Sequence, residues 1–373
     1  AGRRVFAFAQ LTAPLAAKGV EDTAHYRYGR LLSRNEVGAD AGDFSLSRGA
    51  FHARNRRRAR TVPHGLVATA THDHKRGEDA REWAGRAQRD ARRVARCVAR
   101  LVRAQPAASR RRAARPRVGA GAGRRGDAYL TLVGCWPPAL EPDDAAGLDA
   151  LAGRVAQWQT KALREAKLHT DWQAPNAGYE RDCEAFVRAI LTPRGAGDFA
   201  HRLHAFVARI APAGVVNSLA QTVLRMASPG VPDLYQGSES WDHSLVDPDN
   251  RRDVPFAALA AERVDGAVAS YLPAWPDARV KRALVERMLA LRARWPATFA
   301  DGAYVPLRVR GGLGRHALRS RGATMRPPWW SLRRGSRAGC SAKRPGCRVW
   351  SPRYGAIRRS CCRAVPKGRG RTG

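Results

Sequence analysis

A short apolar segment followed by a dense polar loop is the feature that most constrains how this chain folds. Leu66–Ala70 is an apolar run of strand length, which predicts a buried parallel β-strand. The nine residues Thr71–Asp79 follow directly and include two histidines, two aspartates, a glutamate, a lysine and an arginine. Barrel enzymes place sugar-binding and catalytic side chains at the carboxyl ends of their strands. The pattern therefore favours a carbohydrate-active barrel, with His72 and Asp73 on its catalytic face.

The formal net charge of +35 is concentrated in parts of the chain. Residues 86–125 contain fourteen arginines and one acidic residue, and residues 321–373 contain thirteen arginines, two lysines and no acidic residue. Arg54–Arg60 adds a shorter basic run, and the remainder is nearly neutral. Such charge usually indicates a nucleic-acid or other anionic partner. Because the patterned sequence lacks it, we expect no specific nucleic-acid partner.

The two long basic segments have no sustained apolar periodicity, so we expect 86–126 and 321–373 to be poorly ordered. Two interpretations of these segments are open. They are a basic linker and tail that bind nucleic acid, or they are GC-rich DNA translated out of frame. The second interpretation agrees with their amino-acid composition, which is rich in arginine, proline, glycine and cysteine, and we favour it.

Cysteine and apolar patterns exclude several protein classes. Five of the seven cysteines lie in the two basic segments, and no C-x-x-C pair occurs, so neither a disulfide framework nor a zinc ribbon is expected. His72 and His74 form an H-x-H pair without a third ligand motif, so we expect no metal and no cofactor. No signal-like segment and no run of 18 apolar residues occurs, which predicts a cytoplasmic protein without a membrane partner.

The remaining pattern divides the chain into α/β and helical parts. Leu148, Leu151, Val155 and Trp158 lie at helical spacing and predict an amphipathic helix. Val231–Tyr235 predicts a second buried strand, after the helix stop Ser228-Pro229-Gly230. The expected organisation is a barrel segment (1–85), a basic linker (86–126), a mainly helical insertion (127–228), a last barrel strand with its loop and helix (229–296), the start of a C-terminal β domain (297–320) and a basic tail (321–373).

Several motifs carry a family resemblance, in family order over roughly residues 5–82 and 127–320. They are Ala17–Thr23, the Thr-His-Asp block, His169–Trp172 with Pro175-Asn176 and Tyr179-Glu180, Asn217–Thr222, Pro229–Glu239 and Leu245–Arg252. Together they resemble the C-terminal half of the malto-oligosyltrehalose synthase family, within the α-amylase superfamily. The resemblance implies the last strands of a (β/α)8 barrel, a large helical insertion and the start of a C-terminal β domain.

The resemblance also implies a substrate and a reaction. The family rearranges the reducing-end α-1,4 linkage of a maltodextrin to an α,α-1,1 linkage, as a retaining enzyme whose glucosyl intermediate is captured by the released sugar. By motif match, Asp73 is the transition-state-stabilising carboxylate and His72 binds the same sugar. The substrate-binding residues that we expect are Lys18, Glu21, Lys75, Arg76, Asp79, Gln236, Glu239, Asp249 and Arg251. In family order the nucleophile and the acid/base precede residue 1, so we expect this chain to lack synthase activity.

Alternatives remain for individual residues and for the whole chain. Asp73 is also a plausible helix N-cap, and Arg251 and Arg252 could pair with Asp247 and Asp249 in a structural turn. Three functional classes stay open: a trehalose-forming enzyme present as a fragment, an inert glycan-binding remnant, and a basic nucleic-acid binder.

Overall fold

Helices dominate the part of the chain that the structure describes. The computed structural model describes residues 2–29, 32–40, 42–43, 45–88, 122–193, 198–311 and 317–323. The expectations for residues 89–121 and 324–373 therefore lie outside the described residues, whereas the expectation of poor order is wrong for 86–88, 122–126 and 321–323, which belong to two helices and a strand. The helices are α1 (Gly2–Ala16), α2 (Arg48–Thr61), α3 (Glu78–Gln88), α4 (Ala122–Cys135), α5 (Ala145–Ala166), α6 (Ala177–Ile190), α7 (Phe199–Ala227), α8 (Phe256–Ala261), α9 (Arg279–Arg294) and α10 (Pro296–Ala300). The strands are β1 (Leu66–Val67), β2 (Val231–Pro232), β3 (Ala303–Pro306) and β4 (Ser320–Ala323).

Shorter helical segments connect these elements. A wider, π-type segment, Ala17–Ala24, continues α1 and ends in the helical turn His25–Arg27. Tighter 3₁₀ turns occupy Leu32–Arg34, Asp249–Arg251 and Val268–Asp277. These segments bring the predicted functional loops against the helices.

The main core forms between α3, α4, α5 and α7. Trp83 of α3 and Trp136 after α4 are almost completely buried in it. The predicted apolar stripe of α5 is confirmed, because Leu148, Leu151, Val155 and Trp158 all belong to this core. Asp144 caps α5 by accepting a hydrogen bond from the Gly147 amide, which fixes where the helix begins.

The longest helix runs through a proline. The sequence predicts two helices, one around Leu203–Ile210 and another at Asn217–Met226, whereas α7 is continuous over 29 residues. Pro212 removes one backbone donor from the helix interior. Ile210, Ala211 and Val215 are buried on both sides of it, so tertiary packing outweighs the local break. The prediction of a separate second helix is therefore wrong.

Within the described residues, α7 is also the one helix long and apolar enough to cross a membrane by length and composition. Core helices pass the same test, and Phe199, Leu203 and Val207 are buried in the main core.

Two small sheets complete the described fold. β1 and β2 pair in parallel, with Leu66 opposite Val231 and Val67 opposite Pro232. The predicted parallel strands therefore form, but each is two residues long, and Leu66 is exposed rather than buried (71%). β3 and β4 pair antiparallel, which agrees with the expected start of a β segment near Tyr304.

Apolar side chains of two helices are exposed in the described structure. Leu291 of α9 is exposed, although the sequence pattern assigns it to a buried face. The buried face of α9 instead carries Val280, Lys281, Ala283 and Val285. None of the residues of α1 is buried, and its apolar side chains, Phe6 and Phe8 among them, face solvent.

The packing of α7 against Trp83 gives a test of this core. A Cβ on Gly214 would lie 2.4 Å from Cδ1 of the buried Trp83 ring, whereas a Cβ on Gly153 of α5 would meet nothing within 4 Å. We expect Gly214→Ala to destabilise the fold by about 1–3 kcal/mol through overpacking. The matched change Gly153→Ala should stabilise it by about 0.5–1 kcal/mol, because alanine is the better helix former. Urea unfolding measures both, and equal effects would contradict the described packing.

Candidate active site

The parallel pairing of β1 and β2 brings two polar loops to one edge. The Val231 amide donates to the Gly65 carbonyl (3.1 Å), and the Asp233 amide donates to the Val67 carbonyl (3.0 Å). Because the strands run the same way, the loops that follow them, 68–77 and 233–252, leave at the same edge. The motifs that sequence analysis singled out on both strands therefore meet.

His72 and Asp73 are the exposed tip of the first loop. The Asn250 side chain of the second loop donates a hydrogen bond to the His72 carbonyl (2.6 Å), which ties the tip to the opposite loop. The next residue, His74, is buried and hydrogen-bonds Thr71 through Nδ1 (2.7 Å). The tip is thus held from both sides while the Asp73 side chain stays accessible.

One side of the tip is a cluster of lysines around Asp22. The Lys75 ammonium, which is buried, donates to the Asp22 carboxylate (2.8 Å), and the exposed Lys18 donates to its other oxygen. These hydrogen bonds outweigh burial and hold the pKa of Asp22 below its ordinary value. The pKa of Lys18 is raised, mainly by its hydrogen bond to Asp22 and less by the charges of Asp22, Glu165 and Asp73. Lys18 therefore lies within the electrostatic reach of Asp73.

The other side of the tip is built around Asp247. Its carboxylate accepts from Lys161 of α5 and pairs with the exposed Arg251 (3.2 Å). Burial alone would raise the pKa of Asp247, but the hydrogen bond and charge of Lys161, followed by the charges of Arg251 and His72, lower it. Burial also raises the pKa of the Tyr235 phenol, and the negative charges of Asp242, Asp247 and Asp73 raise it further.

Like Lys75, three other residues that were predicted to bind substrate are buried. Arg76 is buried, donates to Thr131 Oγ1 (3.2 Å) and packs 5.7 Å from the Trp158 ring centroid. Asp249 is buried and accepts two hydrogen bonds from Arg154 of α5 (2.8 and 3.0 Å). Asp79 is fully buried. Their side chains therefore contact other groups of the protein, and their predicted contact with substrate stays a prediction.

Asp79 belongs to a buried ion-pair network. The Lys281 ammonium of α9 contacts the carboxylates of Asp79 (2.6 Å) and Glu78 (2.8 Å), and Arg225 of α7 contacts Glu78 (2.5 Å). Burial would raise the pKa of Glu78, but Lys281 and Arg225 lower it to about 2. Burial raises the pKa of Asp79 to about 6, despite the opposing charge of Lys281. The Asp242 amide donates to Asp79 as well (2.7 Å).

The remaining predicted residues are less closely tied to the tip. Glu21 accepts a hydrogen bond from the Gly38 amide (3.0 Å) and is partly exposed. Gln236 is exposed and Glu239 is partly exposed in the turn after β2. The structural turn that we considered for Arg251 and Arg252 forms, since Arg251 pairs with Asp247 and Arg252 pairs with Asp249 (3.1 Å).

Sequence reasoning missed the residue that fixes the base of the first loop. The buried carboxylate of Glu36 accepts from the backbone amides of Lys75 (2.6 Å) and Arg76 (3.3 Å), and it pairs with Arg81 (3.4 Å). Its surrounding sequence, Arg34-Asn35-Glu36, has no motif that distinguishes it from a solvated acid. Only tertiary structure could identify it.

Sequence reasoning also missed the polar side of α5. Arg154, Lys161 and Glu165 lie seven and four residues apart, which places them on one side of the helix. Their partners come from the site loops: Arg154 binds Asp249, and Lys161 binds Asp247. This spacing, directly beside the apolar stripe, was a usable signal. No cluster of three potential metal ligands occurs among the described residues.

Comparisons with curated proteins and with solved structures both lead to maltooligosyl trehalose synthases. No family model matches the chain. A curated protein of Mycobacterium tuberculosis (strain CDC 1551 / Oshkosh), named "Putative maltooligosyl trehalose synthase", is 35% identical over 309 residues, which are 83% of this chain and 36% of that protein. Over these residues the chain is similar to part of a protein of that name. It spans about 36% of the length of the curated relatives that it matches.

Solved synthase structures give the same result for the fold. A crystal structure of maltooligosyl trehalose synthase superposes with a TM-score of 0.68 at 29% identity, covering 82% of this chain and 39% of that one. The maltooligosyltrehalose synthase from Arthrobacter ramosus gives a TM-score of 0.65 at 32% identity, covering 82% of this chain and 37% of that one. The similarity therefore extends to the arrangement of the described elements.

The ion-pair network beneath the site can be tested by removing its shared cation. Lys281→Met leaves two buried carboxylates without their common partner, so we expect a loss of about 3–5 kcal/mol in the free energy of unfolding. Arg188→Met removes the exposed pairs with Asp149 and Glu184, and should cost about 0–1 kcal/mol. Denaturant titration of both variants measures the difference. A loss at Lys281 as small as that at Arg188 would show that the network contributes little.

Proposed function

We propose that this chain carries the sugar-binding part of a maltodextrin transglucosylation site, with Asp73 as the transition-state-stabilising carboxylate. The observation that carries the proposal is the position of Asp73. It is exposed at the carboxyl-terminal edge of a parallel strand pair, on a loop whose base is buried and hydrogen-bonded. The names of the homologous synthases support maltooligosaccharides as the substrate class.

We propose further that β1 and β2 are neighbouring strands of a (β/α)8 barrel. In such a barrel the catalytic side chains lie on the loops at the carboxyl ends of the strands. The two loops that meet here, 68–77 and 233–252, have that position relative to β1 and β2. The short strands and the exposed Leu66 fit a barrel of which this chain contributes a part.

The chemistry expected of Asp73 follows from the charge of the transition state. A glucosyl ring approaching an oxocarbenium ion flattens, and hydrogen bonds from its hydroxyls to a carboxylate become stronger as it does so. Asp73 would accept two such bonds, and His72 would hydrogen-bond the same sugar. Lys18 and Arg251 stand on either side as donors to neighbouring hydroxyls, and Gln236 and Glu239 lie on the loop after β2.

The full reaction converts a reducing-end α-1,4 linkage to an α,α-1,1 linkage. The α-1,4 bond breaks, the glucosyl unit is held covalently on a carboxylate, and the released sugar, not water, attacks it through its anomeric hydroxyl. The leaving oxygen takes a proton from an acid, which later removes one from the attacking hydroxyl. Loss of the reducing end is the measurable consequence.

We propose that the chain alone binds maltodextrin without converting it. Retaining chemistry uses a nucleophile and an acid/base about 5 Å apart, in addition to Asp73. Two of the carboxylates near Asp73 are Asp22 and Asp247, and hydrogen bonds from lysines lower the pKa of each. Neither would keep the proton that an acid must deliver near neutral pH. The lysines also occupy oxygens of both carboxylates, so we assign neither catalytic role to them.

The experiment is a titration of the full 373-residue chain with maltopentaose, followed by assay of reducing ends. We expect binding without loss of reducing ends. Asp73→Asn should weaken binding about ten-fold or more, because hydrogen bonds to a charged group contribute about 1.5–3 kcal/mol each. The control Asp149→Asn neutralises an exposed carboxylate that pairs with Arg188 and should leave binding unchanged.

Each alternative outcome has a distinct meaning. Turnover of maltopentaose by the chain contradicts the proposed inactivity. Binding that Asp73→Asn leaves unchanged contradicts the role of Asp73. Tight, salt-dependent RNA binding without maltopentaose binding would favour the nucleic-acid class instead.

A further inference from the structure

An exposed tryptophan on the insertion side of the site has no role in the function proposed so far. Trp172 lies in the loop between α5 and α6, with 51% of its surface open to solvent. Its indole Nε1 donates to the Glu165 carboxylate (3.1 Å), and the Arg164 guanidinium lies 4.9 Å from its ring centroid. A large apolar ring is thus exposed and fixed at the same time.

The loop that carries Trp172 is built to be rigid. Arg164 donates two hydrogen bonds to Glu180 (2.8 and 2.7 Å), and Thr170 donates a third (2.6 Å). The Asp171 carboxylate accepts from the two amides that follow Trp172, at residues 173 and 174 (2.7 Å each). The turn starts at Lys167, whose left-handed backbone (φ 49°) ends α5. Such a network fixes the ring without burying it.

The ring stands beside the Asp73 cluster rather than on a remote surface. Trp172 bonds Glu165 of α5, and α5 packs against the segment Ala17–Ala24. In that segment Asp22 accepts from Lys75, two residues after Asp73. Lys161, one turn before Glu165 on α5, binds Asp247 of the second site loop. Trp172 is therefore connected through α5 to both loops of the site.

We propose that Trp172 is a stacking platform for a glucosyl unit of the maltodextrin chain, distinct from the unit that Asp73 holds. This proposal rests on the proposed function, because it extends the same binding surface. Arg164 lies over the ring at 4.9 Å, and half of the residue's surface stays open to solvent, which leaves room for a sugar against the indole. The C–H face of a pyranose is apolar and matches an indole face, while its rim of hydroxyls matches charged donors and acceptors such as Lys18 and Glu165.

The test compares affinities for maltose and maltopentaose, measured by calorimetry on the full chain. Trp172→Ala should weaken maltopentaose binding about ten-fold and leave maltose binding within about two-fold, since an aromatic contact contributes on the order of one decade in affinity. Trp172→Phe, which keeps a smaller ring, should retain most of the affinity. The matched control is Trp295→Ala, because Trp295 is equally exposed (54%) and also lies beside an arginine, Arg294 (5.5 Å), but follows α9.

The outcomes separate this proposal from the one on which it rests. Failure of the unaltered chain to bind maltopentaose would overturn both. Binding that depends on Asp73 but is unchanged by Trp172→Ala would overturn the platform alone. Equal losses for maltose and maltopentaose would also overturn it, because they would place Trp172 against the same glucosyl unit as Asp73.

Discussion

The neutralisation of two buried carboxylates by two buried cations is the interaction on which the rest of the described structure depends. Glu78 and Asp79 begin α3 at the end of the site loop, Arg225 comes from α7 and Lys281 from α9. A buried charge without a partner is costly, so these elements can only pack in the arrangement that brings the four together. The network therefore specifies where the loop bearing Asp73 must sit.

The division of that loop into an exposed tip and a buried base follows from this constraint. Glu36 binds the amides of Lys75 and Arg76, and the ion pairs hold Glu78 and Asp79. The two residues at the tip are the ones left facing solvent. Because the charges of the base are paired within the protein, the tip is organised before any sugar arrives, and binding does not have to order it.

Local periodicity was sufficient to predict the buried face of α5, and continuous apolar runs were sufficient to predict the strands β1 and β2. It could not predict which charges are buried. Asp79 and Asp249 stand in polar stretches that suit a substrate wall equally well, and their partners Lys281 and Arg154 are distant in the sequence. The single helix through Pro212 was missed for a related reason, because its continuity depends on packing and not on propensity. The position of His72 and Asp73 just after a strand, by contrast, could be predicted from the apolar run and the polar loop that follows it.

The pairing of β1 with β2 also has a consequence for how the protein folds. Lys281 and Asp79 are 202 residues apart in the sequence, and the whole helical insertion lies between the strands that carry the two site loops. Closing a loop of that length costs chain entropy before the contacts it brings can form. The helices between the strands can form from local contacts, so the edge that presents Asp73 should be among the last parts to assemble. The ribosome would then have to translate the chain beyond Lys281 before the protein could bind a sugar.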